Sequence, residues 1–400
     1  MNEHSGGIQV KRILIVANVS SFLYKFERGD VRILQSLGYE VHCAANMHEQ
    51  HHEGETQVME QMGVIMHHIS VARSPYLYHD NRTALAQLLL LIEKLDIRVL
   101  HCHTPVGGVL GRLAGRLSKR PLYVLYTAHG FHFYKGAPLL NNTLYYLAER
   151  ALAAHTDVLI TINEEDHARA RRLKLKPGGS VWLIPGVGLD MAHFTVMGPH
   201  ERLRCRRALQ VDAHCFLAVS AGELNGNKNH EAVLHMFAQL KAQGWDMRDV
   251  RYLICGEGPF ARRLQDMIQA CGLQDNVRLL GHVSDIRSIV GCADVFLFPS
   301  RREGLGMAAL EALSMGIPVI AADNRGTREY MSNALNGWLC APQKLSEQMG
   351  EALKKLRAMP AAERGQLRKR CVISVWQYEK RHTHRIMQEI YERMDRDVWK

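Results

Sequence analysis

Short unbroken apolar runs alternate with longer helix-patterned stretches, and that alternation organises the whole chain. Arg12-Ile-Leu-Ile-Val-Ala17 and Tyr39-Glu-Val-His-Cys-Ala-Ala45 are continuous enough for the centre of a parallel sheet covered on both faces. A helix over 30–37 joins them and stops at Gly38, the residue type best suited to the left-handed turn past a helix end. The series continues with a helix over 82–95, a strand from Arg98 to His101, a helix over 106–117, a strand from Tyr123 to Thr127, a helix over 140–153 and a strand from Val158 to Ile162. A second series starts at Cys215-Phe-Leu-Ala-Val-Ser220, after a Pro/Gly segment at 185–188 and a polar stretch around Gly198-Pro-His-Glu201. The final helical pattern, 375–394, has too few apolar positions for a core of its own. These elements predict an α/β chain with two doubly wound, Rossmann-like domains, 1–190 and 191–374, followed by a terminal helix in 375–400. Ligands of such sheets bind outside the carboxyl ends of the strands, so the active site is expected in a cleft between two facing sheets.

The segment from Phe298 to Ile320 carries the most chemistry. Asp294-Val-Phe-Leu-Phe298 reads as a buried strand, Pro299 and Ser300 end it, and a helix follows over 307–315 with Gly316 as stop. Glu303 then sits on the loop and Glu311 on the helix's second turn. Gly304 and Gly306 allow close backbone approach, and a helix N-terminus favours a diphosphate. Side chains lean toward the helix start, so Glu311 can reach a hydroxyl pair such as ribose and Glu303 the hydroxyls of a sugar. An ordinary strand-loop-helix unit with solvated glutamates accounts for the spacing equally well. Lys228, in the loop Asn225-Gly-Asn-Lys228, suits a cation reaching phosphates.

Taken in order, Ser220-Ala-Gly222-Glu-Leu-Asn-Gly-Asn-Lys228-Asn-His, Leu253-Ile-Cys-Gly256-Glu-Gly258-Pro259, Val277-Arg-Leu-Leu-Gly281-His and the Glu303/Glu311 pair resemble retaining glycosyltransferases of family four, which have the GT-B fold. The likeness covers residues 218–340. Tyr126-Thr-Ala-His129-Gly-Phe-His132-Phe-Tyr-Lys-Gly136 and Ile184-Pro-Gly-Val-Gly-Leu-Asp190 resemble, more narrowly, the transferases that build bacterial capsular and exopolysaccharide repeats. The resemblance implies a nucleotide-diphosphate sugar donor, with a UDP-sugar expected, and no metal. It implies donor binding by Gly222, Lys228, Gly256, Gly258, Glu303, Gly304, Leu305, Gly306 and Glu311 in the C-terminal domain. His129, Glu303 and Lys228 are the implied catalytic residues, with front-face attack assisted by the leaving phosphate. The N-terminal domain would take the acceptor, and the terminal helix would cross back onto it. Glu223 departs from the pattern, because many relatives have an arginine there; Arg301, Arg302 or the helix dipole are the candidate substitutes.

Composition narrows the partners. Four hundred residues exceed the size at which one core stops growing, and an apolar share of 47% is ordinary for a globular protein. A formal net charge of +10 favours acidic partners. With no aromatic-interleaved basic run or zinc-finger spacing, nucleic acid is the weakest of these. The nine cysteines show no C-x-x-C spacing and read as reduced thiols of a cytosolic protein. Met1 to Gln9 is polar, and no signal peptide or membrane span is expected. His101 and His103 flank Cys102, but no third ligand has metal spacing, so no metal site is expected. Gly107, Gly111 and Gly115 read as close helix-to-sheet packing, and Asp395-Arg-Asp397 as a solvated tail. Asn18-Val-Ser-Ser-Phe-Leu lacks the G-x-G-x-x-G of a dinucleotide fold.

The residues and the resemblance together imply a metal-independent retaining glycosyltransferase acting on a polyprenyl-diphosphate-linked saccharide. A nucleotide-sugar epimerase and a non-catalytic sugar-binding subunit are the alternatives. Arg112, Arg116, Lys119 and Arg120, with Arg169, Arg171, Arg172, Lys174 and Lys176, flank Phe131, Phe133, Tyr134, Leu139 and Leu140. Basic clusters beside exposed apolar side chains predict peripheral attachment to anionic lipid at the cytoplasmic face of the membrane. A solvated basic face with a buried aromatic loop is the plain alternative.

Overall fold

The computed structural model describes residues 10–48, 54–72, 74, 76–136 and 138–399, so the polar stretch Met1–Gln9 lies outside the described residues. Two units divide the chain, one of Met1–Gly188 with Arg381–Lys400 and the other of Leu189–Lys380.

The first unit is built on seven parallel strands: Lys11–Val19 (β1), Tyr39–Asn46 (β2), Ile65–His68 (β3), Val99–His103 (β4), Tyr123–Ala128 (β5), Val158–Thr161 (β6) and Ser180–Leu183 (β7), in the order β3-β2-β1-β4-β5-β6-β7. Ile13, Leu14, Ile15 and Val16 are fully buried, as strands covered on both faces must be. Helix Pro105–Leu117 lies close against β4 and β5 because it carries glycines there. A Cβ on Gly107 would stand 2.9 Å from Thr104 Oγ1, one on Gly111 would strike the Cys102 Sγ, and one on Gly115 would stand 2.7 Å from Val124 Cγ2. The glycine repeat is therefore a packing device, as its spacing suggested. Arg112 on the same helix is fully buried, 3.9 Å over the Tyr126 ring centroid and 2.6 Å from Glu149. This removes Arg112 from the expected basic surface.

The last helix, Lys380–Val398, starts later than the apolar pattern put it, because a 3-10 turn at Trp376–Tyr378 precedes it. Thr383, Met387, Ile390, Tyr391 and Met394 make its buried stripe at helical spacing. Each large apolar side chain so buried contributes about 1.5–3 kcal/mol. Asp395 corrects the expectation of a solvated tail: it accepts hydrogen bonds from Lys11 Nζ at 2.7 Å and Tyr39 Oη at 2.9 Å, fastening the helix to the sheet's β1–β2 side.

The second unit has six parallel strands: Phe216–Ala221 (β8), Val250–Cys255 (β9), Val277–Gly281 (β10), Val295–Phe298 (β11), Val319–Ala322 (β12) and Gly337–Cys340 (β13), in the order β10-β9-β8-β11-β12-β13. Both sheets thus reverse their winding beside their own first strand, between β1 and β4 and between β8 and β11. Doubly wound sheets open a crevice at that reversal, outside the carboxyl ends of the strands. All nine cysteines are free thiols.

Candidate active site

In the second unit the reversal lies between the loops that follow β8 and β11. The β8 loop is held by Asn225, whose Oδ1 accepts from the backbone N–H of Asn227 and of Lys228, both at 3.0 Å. It is stitched to the β11 loop by Arg301 N–H to Asn227 O at 2.8 Å and by Asn227 Nδ2 to Arg302 O at 3.0 Å. Across this seam Lys228 Nζ pairs with Glu303 Oε1 at 2.7 Å. Both side chains are partly exposed, at 24% and 13%, so the pair can open without leaving either charge buried and alone. The Lys228 ammonium also lies 5.5 Å from the Phe298 ring centroid.

Gly306 caps helix Met307–Ser314 with a φ of 93°, a value side chains resist. A Cβ there would also stand 2.8 Å from the Phe298 ring. Buried Leu305 and half-buried Gly304 complete the turn, and half-buried Glu311 lies on the helix that follows. Gly256 and Gly258 allow two loops to pack closely. Their Cβ atoms would run into the backbone oxygens of Gly222 and Leu224, so the loops after β8 and β9 can close together only as glycine. Leu224 N–H to Glu257 O at 2.8 Å and Gly222 N–H to Cys255 O at 2.9 Å make that closure. Glu223 is exposed in the same loop.

One residue of this loop set escaped the sequence reading. Arg325 is 6% exposed, and its Nε donates to Glu303 O at 3.3 Å. Asn324 holds the segment, giving Nδ2–H to Ser300 O at 2.9 Å and accepting from Gly326 N–H at 3.0 Å. Arg301 instead donates to Asn229 Oδ1 at 3.2 Å. Nothing local in the sequence distinguishes Arg325 from any loop arginine; its position depends on pairing β11 with β12.

The first unit's reversal has a different character. After β1 the chain forms a short helix, Ser20–Phe22, and a π-helical turn, Leu23–Glu27, which bring Glu27 in toward the end of β4. His103 Nδ1 lies 3.2 Å from Glu27 Oε1 and 3.2 Å from His129 Nε2. The His129 ring meets Phe22 edge-on at 4.9 Å. Burial pushes His129 down to about 4, and burial with the nearby His101 and His129 holds His103 well below the usual histidine range. Burial, reinforced by Asp30, raises the Glu27 carboxyl well above the ordinary range. The Glu27–His103 contact at 3.2 Å is therefore one between neutral groups and not an ion pair.

These three residues form a group that the spacing of His101 and His103 does not reveal. Their ligand atoms lie within 4.8 Å of one another, the donor set of a small metal site. His101 takes no part in the group. It faces Tyr391 Oη through Nδ1 and Thr127 Oγ1 through Nε2, both at 2.8 Å, and burial lowers it to about 3. Tyr391 donates in turn to Asp30 Oδ2 at 2.9 Å, and burial raises Asp30 to about 7. His132 lies instead beside the Tyr145 ring, at 5.1 Å.

Residues 204–372 match the family model described as glycosyl transferases group 1, and residues 12–163 match glycosyl transferase 4-like. The Bacillus subtilis (strain 168) protein named as glycosyltransferase EpsD is 39% identical over 82% of this chain and 83% of its own. The chain belongs to this glycosyltransferase family. An Escherichia coli relative named UDP-Gal:alpha-D-GlcNAc-diphosphoundecaprenol alpha-1,3-galactosyltransferase is 28% identical over 64% of this glycosyltransferase and 65% of its own chain. Among solved structures, Anabaena HepE in complex with UDP and glucose has a TM-score of 0.75 at 17% identity, covering 96% of this chain and all of its own (100%). Sucrose-phosphate synthase from Thermosynechococcus elongatus has a TM-score of 0.78 at 18% identity, covering 97% and 100%. The glycosyltransferase thus has the GT-B fold, with two parallel-sheet domains, and its relatives include polysaccharide-building enzymes.

Proposed function

We propose that this glycosyltransferase moves a sugar from a UDP-sugar, with retention of configuration and without a metal, to a polyprenyl-diphosphate-linked saccharide in capsule or exopolysaccharide synthesis. The observation that carries the reading is the Lys228–Glu303 pair at 2.7 Å beside the N-terminus of helix Met307–Ser314. A diphosphate at that N-terminus would draw Lys228 away from Glu303 and free the carboxylate for a sugar hydroxyl. Lys228, the helix dipole and Arg325 would stabilise the charge that develops on the leaving diphosphate, the step at which fixed charges help most. Arg325 thereby answers for the cation missing at Glu223. Glu311 would hold the ribose and His129 the donor sugar. The relative named for UDP-galactose and a diphosphoundecaprenol acceptor supports the donor and acceptor classes.

Attachment to anionic membrane is part of the same proposal, on a revised surface. No helix among the described residues is long and apolar enough to cross a membrane. Phe131 and Phe133 are buried at 2% and 1% exposure, stacked on each other, and so cannot face lipid. Helix Leu139–Ala153 instead exposes Leu139, Leu140, Leu144 and Leu147. The basic segment is close by, since Arg169 lies over the Phe133 ring at 5.7 Å and Lys135 N–H meets Glu165 Oε1 at 2.9 Å. Arg171 and Arg172 are exposed there, whereas Lys176 is spent on Asp157 at 2.6 Å.

The test screens UDP- and GDP-sugars for thermal stabilisation. The stabilising donor is then supplied with undecaprenyl-diphosphate-linked saccharide, and the new linkage is read by NMR. An inverted anomeric centre or an isomerised free nucleotide sugar would overturn the reading. Leu140→Ser with Leu144→Ser should abolish co-sedimentation with anionic vesicles; unchanged binding would remove this helix from the membrane surface.

A further inference from the structure

The buried group at the end of β4 poses a proton-counting problem. His103 Nδ1 faces two partners at once, Glu27 Oε1 and His129 Nε2, each at 3.2 Å. A neutral imidazole nitrogen either holds one proton or offers one lone pair. If Nδ1 were bare, its lone pair would face the Glu27 oxygen at 3.2 Å, a repulsive contact that burial leaves unscreened. With the proton on Nδ1, the N–H donates to His129 and keeps the Glu27 oxygen as a favourable neighbour. The hydrogen bond runs to His129 Nε2, and the Glu27 oxygen at 3.2 Å stands beside the same nitrogen, where it favours a proton over a lone pair. His129 then accepts at Nε2 and must carry its own proton on Nδ1. Its ring cannot turn freely to escape this assignment, because Phe22 closes one side at 4.9 Å and the His103 ring stacks at 5.5 Å.

We propose that Glu27 and His103 are positioning residues that fix His129 as the Nδ1–H tautomer, making it a hydrogen-bond donor toward a hydroxyl of the bound donor sugar. The ligand half of this statement rests on the reading of the chain as a UDP-sugar transferase; the tautomer half does not. A donor suits the task, since a neutral N–H can orient a sugar oxygen without adding charge to a buried pocket. Glu27 acts one step further back. Its oxygen holds the His103 ring so that Nδ1, and not Nε2, points at His129.

The experiment labels histidine with nitrogen-15 in the intact chain and records long-range proton–nitrogen correlations, which distinguish the two tautomers. His129 and His103 should both be protonated at Nδ1. His103→Phe keeps the ring volume but removes the donated proton, and should release His129 toward the Nε2–H form. Glu27→Gln keeps an accepting oxygen and should retain the wild-type signature, whereas Glu27→Leu should lose it. Calorimetry with UDP and UDP-glucose reads the functional consequence. The preference for UDP-glucose over UDP should fall about fivefold in His103→Phe, the loss expected for one neutral hydrogen bond. His129 protonated at Nε2 in the wild-type protein would overturn the proposal, as would a stoichiometric metal bound through these nitrogens that a chelator removes with a change in their signals. Should His103→Phe fail to fold, the wild-type and Glu27→Gln spectra still decide. If UDP-glucose failed to bind while the tautomer was as expected, the transferase reading would fail and the assignment would stand.

Discussion

At the carboxyl ends of β8 and β11 the charged groups are paired and partly exposed, Lys228 against Glu303; at the ends of β1 and β4 the titratable groups are buried and driven toward neutrality, Glu27 against His103. The strand order around the two places is the same. The topology supplies a crevice in each unit, and the residues delivered to it decide what it can do. A solvent-reachable ion pair can exchange partners when an anion arrives. A buried neutral chain cannot take on charge cheaply, so it is suited to holding a geometry.

The largest effect should come from the charged side. Lys228→Ala is expected to lower transfer by about a hundredfold to a thousandfold, the cost of removing one group that stabilises developing charge. Initial rates with saturating donor check it. Wild-type turnover would show that the two regions do not differ in this way.

The next tests the neutrality of the first unit. Asp30 has its carboxyl raised from 3.8 to about 7, so the folded state holds its proton more tightly than the unfolded one. That stabilisation is complete below the unfolded value and is lost as pH rises through about 7. Asp30→Asn should therefore gain stability relative to wild type between pH 5 and pH 8, on the order of a few kcal/mol. Thermal unfolding at several pH values reads this, and parallel curves for the two proteins would mean that Asp30 is ionised in the fold.

Glu311→Gln should weaken UDP binding roughly tenfold by calorimetry, as expected for one charge-assisted contact, while Glu303→Gln leaves UDP binding near wild type and lowers turnover. Equal losses in both variants would merge roles that the loop and the helix keep apart. The smallest effect is expected for Tyr391→Phe, which removes the hydroxyl between His101 and Asp30 and should cost about 1 kcal/mol in denaturant unfolding. No change would show that the Tyr391 hydroxyl adds nothing to the hold on helix Lys380–Val398.

What the sequence made legible follows from distance along the chain. Buried strands, the Glu303 loop and the Gly306 cap are local patterns, and each was readable from about ten neighbouring residues. Arg325, Glu27 and Asp30 were not, because their neighbours in space come from other strands or from the far end of the chain; Tyr391 and Asp30 are separated by 361 positions. The aromatic run after β5 misled for another reason. Phe131 and Phe133 carry the composition of a membrane loop, yet Phe131 N–H is tied to buried Asp166 at 3.0 Å, which turns the run inward.

The helix Lys380–Val398 bears on how the chain is made. The first unit is completed by residues 381–400, which are made after all of the second unit, whereas the unit of 189–380 is contiguous. Synthesis at roughly 5–20 residues per second therefore leaves the β1–β2 sheet side without its cover until residues 381–400 have emerged. During that interval Asp30, Tyr39 and Lys11 await Tyr391 and Asp395. The unit whose synthesis starts first cannot finish folding until the other has been made, and a chain stalled before residue 381 would present that uncovered face to chaperones and proteases.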